Sequence, residues 1–264
     1  LRDRRLSESS GIVVSRTQPG VLWTFNDSGN PAELFATDTA GDALGRWSVT
    51  GAVNNDWEAM TLGPGPCGGG SCLYIGDIGD NNSRRAAVTI YRVNEPLVRA
   101  TDTTLRASPV VASLTLRYPD GPHDAESLIA DSTGDLFIIT KPRIRSPEVF
   151  RIPATAWGRR DTVAAQLTDT LPLDPRSGIE MWVTDAALAP DGRTVAVRTY
   201  AYLYLFRLDT GGRLTPLSAG PVCLLAGFGA QGEGIGWLGP MTFVLSSEKF
   251  FLMPASVAVV RCGG

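Results

Sequence analysis

Histidine and lysine are almost missing from this sequence. His123 is the one imidazole, and only Lys141 and Lys249 are lysines among the 24 lysines and arginines. A single histidine excludes a metal centre built from several imidazoles. It also routes any Ser-His-Asp triad through His123, yet no G-x-S-x-G elbow nominates a serine. A glycine-rich phosphate loop opening a helix is absent, and so is the D-x-[DN]-x-[DN]-G calcium loop. No apolar run reaches the roughly 18 residues of a membrane-spanning helix. Basic excess is lacking too: the net charge of −3 argues against a nucleic-acid partner gripped by a basic face. Helical periodicity is confined to one turn's worth of "PATAWGRRDTVAAQL".

What is present is 43% hydrophobic residues in a chain of 264, enough for a single large all-β domain over residues 1–264. The four cysteines fall as a close pair, Cys67 and Cys72 around "GGGS", and a distant pair, Cys223 and Cys262. An even count spaced this way reads as two disulfides and an oxidising compartment. The expected location is extracytoplasmic: periplasmic, secreted or lipoprotein-anchored in a bacterium. No signal peptide is visible, and a mature chain would have lost it.

A repeat organises the rest. Five segments align: "ESSGIVVSRTQPGVLWTFNDSG", "EAMTLGPGPCGGGSCLYIGDIG", "ESLIADSTGDLFIITKP", "DAALAPDGRTVAVRTY" and "EGIGWLGPMTFVLSSE". Each opens on an acid, runs through an apolar strand and a Gly/Pro/Asp turn, and closes a second apolar strand on a polar residue. Further β-runs follow each hairpin, such as "VTIYRV" and "YLYLFRLD". A four-strand unit repeating at about 50 residues predicts a β-propeller of five blades, with six as the alternative count. "LRDRRL" and a Cys223–Cys262 bridge are the expected fasteners of the ring's seam.

In such a blade the start of the innermost strand and the end of the second lie at one mouth of the central channel. The polar ends therefore converge there: Glu8, Asn26, Asp27, Glu58, Asp77, Glu126, Lys141, Asp185, Arg198, Glu233, Ser247 and Glu248. Eight carboxylates against two cations repel by several kcal/mol per close pair at reduced dielectric. Protons, cationic side chains or a bound metal must balance them. Ca²⁺, which tolerates irregular oxygen cages, is the expected cofactor, with Glu8, Asn26, Asp27, Glu58, Asp77, Asp185 and Glu248 as candidate ligands. Glu126 and Glu233 are candidate general bases, and Lys141 and Arg198 would hold an oxyanion or an anionic substrate. His123, just before Glu126, completes the candidate catalytic set. The rival reading of the acids is structural, as latches onto backbone N–H groups of the neighbouring blade.

The strings "NNDWEAMTLGPG", "LYIGDIGDNNSRRAAVTIYRVNEP", "DGPHDAESLIADSTGDLFIITK", "VTDAALAPDGRTVAVRTY" and "QGEGIGW" resemble a group of uncharacterised, exported bacterial propeller proteins. More distantly the chain is similar to the calcium-dependent propellers: esterase-like phytases, gluconolactonases and strictosidine-synthase-like proteins. That resemblance implies an axial metal, and Glu8, Asn26, Glu58, Asp77, Glu126, Asp185 and Glu233 match its ligand types in kind. The expected function is a metal-dependent hydrolase of a small ester, lactone or phosphoester, acting as a monomer. Two alternatives stand beside it. One is a binding module for carbohydrate, peptide or protein with a structural metal, and Trp57, Trp182 and Trp237 beside the acids would serve it. The other is a glycoside hydrolase using paired carboxylates.

Overall fold

Turn chemistry cuts the apolar runs into short strands. In "ADSTGD" the Asp131 carboxylate accepts the N–H groups of Thr133 and Asp135, and Gly134 takes the left-handed φ of +87°. The described residues accordingly fold as an all-β structure with three one-turn 3₁₀ helices, one of them Ala154–Ala156 inside the segment with helical periodicity. The computed structural model describes residues 1–68, 71–99, 104–225, 227 and 231–263. Gly69 and Gly70 of the "CGGGSC" loop lie outside these.

Five antiparallel sheets form the blades. Blade 1 is β1 (Ser9–Val14), β2 (Leu22–Asn26), β3 (Glu33–Thr37) and β4 (Ala43–Ser48). Blade 2 is β5 (Trp57–Gly63), β6 (Cys72–Asp77), β7 (Val88–Asn94) and β9 (Val110–Arg117). Between β7 and β9 in sequence, β8 (Leu105–Ala107) crosses back and pairs parallel with β4. Blade 3 is β10 (Ala125–Ala130), β11 (Leu136–Thr140), β12 (Glu148–Ile152) and β14 (Gln166–Thr170), while β13 (Val163–Ala164) returns to pair with β9. Blade 4 is β15 (Val183–Leu188), β16 (Thr194–Thr199), β17 (Tyr202–Leu208) and β18 (Leu214–Pro216), with β19 (Cys223–Leu224) also on β17. Blade 5 has three strands, β20 (Gly232–Gly239), β21 (Thr242–Ser247) and β22 (Ser256–Arg261). The first strand of each blade packs beside its two counterparts, so β1, β5, β10, β15 and β20 make a closed inner ring. The molecule is a five-bladed β-propeller.

Apolar residues fill the wedges between blades. Trp23 and Phe25 meet Trp57 and Met60 between blades 1 and 2, and Tyr74 meets Leu128 and Phe150 between blades 2 and 3. Val183, Val195 and Phe206 close on Ile129 and Phe137 between blades 3 and 4. The wedge between blades 5 and 1 is the thinnest, with Ile12, Leu22 and Val244 as its buried centre.

Both expected disulfides are formed, Cys67–Cys72 and Cys223–Cys262. The longer one spans 39 residues, and closing such a loop in the unfolded chain contributes roughly 4 kcal/mol. It does not fasten the seam. Cys223 lies on blade 4 and Cys262 follows the outer strand of blade 5, so the bond ties those two blades. "LRDRRL" adds no strand to blade 5 either. The neighbouring Ser7 carbonyl accepts the Lys249 N–H at 2.8 Å, and Arg2 N–H reaches the Gly41 carbonyl at 2.9 Å. The seam is thus held by backbone hydrogen bonds and inner-strand packing.

Candidate functional site

Every inner strand breaks register near its start. The shifts lie between Ser9 and Ile12, Trp57 and Ala59, Ala125 and Ser127, Val183 and Asp185, and Gly232 and Ile235. A bulge leaves one residue unpaired and re-aims its side chain, here at the channel mouth. Counting from the paired residue before each bulge, the equivalent positions are Ser10, Glu58, Glu126, Thr184 and Glu233. Two expected members are therefore displaced. Glu8 precedes the blade 1 position by two residues and is exposed, and Asp185 follows the blade 4 position by one. Alignment on the acids alone conceals this, because Ser10 and Thr184 carry no charge.

A belt of hydrogen bonds links all five blades at this level. Ser10 Oγ donates to Glu58 Oε2 at 2.9 Å, and Glu58 is hydrogen-bonded through its side chain to Glu126. Lys141 Nζ, at the end of β11, donates to Glu126 Oε1 at 2.9 Å and to Tyr200 Oη at 3.1 Å. Tyr200 Oη in turn donates to Glu233 Oε1 at 3.4 Å. The belt ends there. Glu233 is 4% exposed, yet its Oε2 is buried with no hydrogen-bond partner among the described residues.

More carboxylates crowd the open end of the belt. Asp27, Asp56 and Glu58 each place an oxygen within 4.8 Å of the others. Burial pushes Asp27 up, helped by Glu233 and Glu8. Burial, Asp27 and Asp124 push Asp56 up to about 6. Glu58 is raised well above the carboxylate range by burial and by Glu126. Burial with Glu233 and Asp124 pushes Glu126 up to about 8 against the pull of Lys141, and burial with Glu233 and Asp27 does the same to Glu248. Lys141 is raised as well: desolvation is outweighed by Glu126 and Glu233, so its ammonium is held firmly charged. Mutually raised acids around one cation describe a site short of positive charge.

Other expected site residues are latches. Asn26 Oδ1 accepts the N–H groups of Ser7 and Glu8 while its Nδ2 donates to the Arg5 carbonyl. Asp77 pairs with Arg85 at 2.7 Å and accepts from Asn55 and from Asp56 N–H, so it positions the loop that carries Asp56. Asp185 Oδ2 accepts Ile235 N–H at 2.8 Å across the blade 4–blade 5 wedge. Arg198, 1% exposed, donates to the carbonyls of Gly234 and Ser246 at 2.6 and 2.8 Å. Burial lowers it to about 10, and its Nη1 is committed to two backbone carbonyls. A Cβ on Gly232 would sit 1.9 Å from Arg198 Nη2. Gly232→Ala is therefore expected to cost roughly 3 kcal/mol or more by expelling a buried charge, read as a drop in the urea midpoint.

His123 is not solvated. It is 3% exposed, between the rings of Tyr118 and Phe150, with Nε2 at 2.8 Å from Asp120 and Nδ1 at 2.8 Å from Arg145. Both nitrogens are engaged, which leaves no free lone pair or proton for acid/base work. Asp120, His123 and Glu148 lie close enough to suggest a metal site, but the two carboxylates flank opposite nitrogens of one ring. They clamp the imidazole instead.

Sequence reasoning missed Asp56, Asp124 and Tyr200. The first two adjoin named acids, in "NNDWE" and "HDAE", and any residue just before a bulged strand shares its mouth. The opposite end of the axis is different. A cavity of about 390 Å³ there is lined by Ile12, Met60, Leu62, Leu188 and Trp237, without a carboxylate. Trp57 is buried in the core, so Trp182 is the tryptophan of the three that remains near the acidic face.

No protein-family model and no curated protein sequence matches the chain. Solved structures do resemble it. The PQQ-bound aldose sugar dehydrogenase of Streptomyces coelicolor superposes with a TM-score of 0.57 at 12% identity, covering 98% of this chain and 95% of that one. The Malassezia sympodialis allergen Mala s 1 gives 0.54 at 11% identity over 99% of this chain and 80% of its own. A gluconolactonase from Xanthomonas campestris gives 0.49 at 14% identity over 98% and 77%. At such identities the likeness establishes the propeller fold alone.

Proposed function

We propose that this protein is a hydrolase of a small ester, lactone or phosphoester that works with a hard divalent cation, Ca²⁺, at the acidic mouth. One observation carries the reading: Asp27, Asp56 and Glu58 converge beside the unpartnered oxygen of Glu233. The donor set is oxygen only and comes from separate segments of blades 1 and 2, which suits an irregular calcium cage better than the strict octahedron of Mg²⁺. These three residues would hold the ion, and the ion would polarise the bond under attack. Glu126, poised at about 8, would take the proton from water. Lys141 and Tyr200 offer the N–H and O–H donors nearest to it, and they would meet the developing oxyanion. Two disulfides support an extracytoplasmic setting. Glu58 and Glu126 touch through a hydrogen bond, closer than the roughly 5 Å or more that separates paired carboxylates in glycoside hydrolases.

The test is thermal melting at pH 8 in EDTA and in excess Ca²⁺, beside chromogenic esters, lactones and phosphoesters. Ligand at about 100 times its dissociation constant adds about 2.7 kcal/mol, so Tm is expected to rise by roughly 5–10 °C with Ca²⁺. Turnover should require the ion. An unchanged Tm would remove the metal from the reading; a shifted Tm with no turnover on any class would favour the binding module.

A further inference from the structure

Next to the acidic mouth lies a recess of opposite character. It has a volume of about 320 Å³ and is walled by Asn81, Ser83, Thr140, Lys141, Arg143 and Arg145. Lys141 and Asp124 belong to both places, so the recess opens beside the belt. Its donors are in excess. Arg143 has no carboxylate partner among the described residues: it donates to Asn81 Oδ1 at 3.2 Å and lies 5.3 Å over the Trp182 ring. Arg145 approaches Glu148 only to 3.9 Å and otherwise touches His123. The Ser83 hydroxyl and the Asn81 amide N–H have no partner among the described residues. Thr140, fully buried behind them, accepts Glu148 N–H with Oγ1 and ties the strand end to the next one. Asp124, the one carboxylate in the wall, turns Oδ1 to the N–H of Asp80 at 2.9 Å.

Backbone strain marks the same spot. Ser83 is not glycine, yet it sits at a φ of +48°. Two bonds to Asp80 hold the loop there, from Ser83 N–H at 2.7 Å and Arg85 N–H at 2.6 Å. Such conformations persist where the surroundings enforce them, and they gather at ligand clamps.

We infer that this recess binds the phosphoryl group of a small phosphoester. Two guanidiniums, a hydroxyl and an amide approach from two loops, which matches a tetrahedral dianion with three free oxygens. A planar carboxylate would be satisfied by one guanidinium and leave the other donors idle. The inference rests on the hydrolase reading in one respect, because it selects the phosphoester from the three substrate classes proposed above.

Binding is measured without turnover, by calorimetry with inorganic phosphate in EDTA. The wild type is expected to bind phosphate and to ignore acetate at equal concentration. Arg143→Gln should weaken phosphate roughly tenfold, as expected for one charge-assisted bond, and Arg143→Gln/Arg145→Gln should weaken it by about a hundredfold. Among the described residues Arg143 hydrogen-bonds Asn81 alone and lies over the Trp182 ring, so the single variant decides if the double variant does not fold. Equal phosphate affinity in wild type and Arg143→Gln overturns the inference, and so does acetate binding as tightly as phosphate. Phosphate binding without turnover of any ester condemns the hydrolase reading and leaves the subsite standing.

Discussion

Lys141→Met should lower Tm by about 10 °C at pH 8 and by far less at pH 5. The ammonium donates to Glu126, is the cation lodged within the belt, and also faces Glu58 and Glu233. Methionine keeps most of the aliphatic stem and removes the charge. At pH 8 the carboxylates that Lys141 offsets are left facing one another in a buried site, and breaking a buried pair typically costs about 3–5 kcal/mol. For a chain of this size that corresponds to about 10 °C. At pH 5 the same acids respond by holding protons, because Asp56, Glu126 and Glu248 are already raised to about 6, 8 and 8. The sign for the wild type follows from these shifts. The folded chain holds protons that the unfolded chain releases from about pH 4 upward, so folding without metal weakens as pH rises toward 8. Ca²⁺ should flatten that slope, since a bound cation stabilises the ionised form. An equal loss at pH 5 and pH 8 in Lys141→Met would show that the side chain acts by packing alone.

The architecture was legible because its signal repeats. Five acid-led hairpins with Gly and Pro turns specify a blade five times over, and an error in one unit is corrected by the other four. The site was legible only at the blades whose acid falls on the bulge, as Glu58, Glu126 and Glu233 do. Blades 1 and 4 carry Ser10 and Thr184 at that position, with an acid two residues before or one after. A shift of one residue along a strand sends a side chain to the opposite face, from the mouth to the wedge between blades. Asp185 shows the consequence: it faces Ile235 N–H of the next blade and works as a latch. Arg198 follows the same logic, since a cation at a strand end reads as a substrate handle until its carbonyl partners are seen. His123 looked like a loop residue because "PDGPHDAES" is polar. Its burial comes from Tyr118 and Phe150, and Phe150 is 27 positions distant, beyond the reach of local pattern.

Glu126→Gln should cut turnover by about 10²–10⁴-fold while leaving the fold as stable as the wild type, or more so, at pH 8 in EDTA. Glutamine retains an oxygen that accepts from Lys141, so the belt keeps its geometry at that link. What disappears is a negative charge facing Glu233, Asp124 and Glu58. Glu58 then ionises at lower cost, and the decline of stability between pH 5 and pH 8 should become shallower. The combination separates a catalytic carboxylate from a structural one. A latch such as Asp185, changed to Asn, keeps at best one good acceptor and gains N–H groups facing backbone N–H donors; it should lose stability at every pH. A group retained for chemistry is expected to do the reverse, because its charge is tolerated against the fold's own electrostatics. Melting curves and initial rates for Glu126→Gln and Asp185→Asn, taken on the same preparations at pH 5 and pH 8, decide the assignment. If Glu126→Gln loses several kcal/mol at both pH values, the belt is scaffolding and Glu126 is one of its struts.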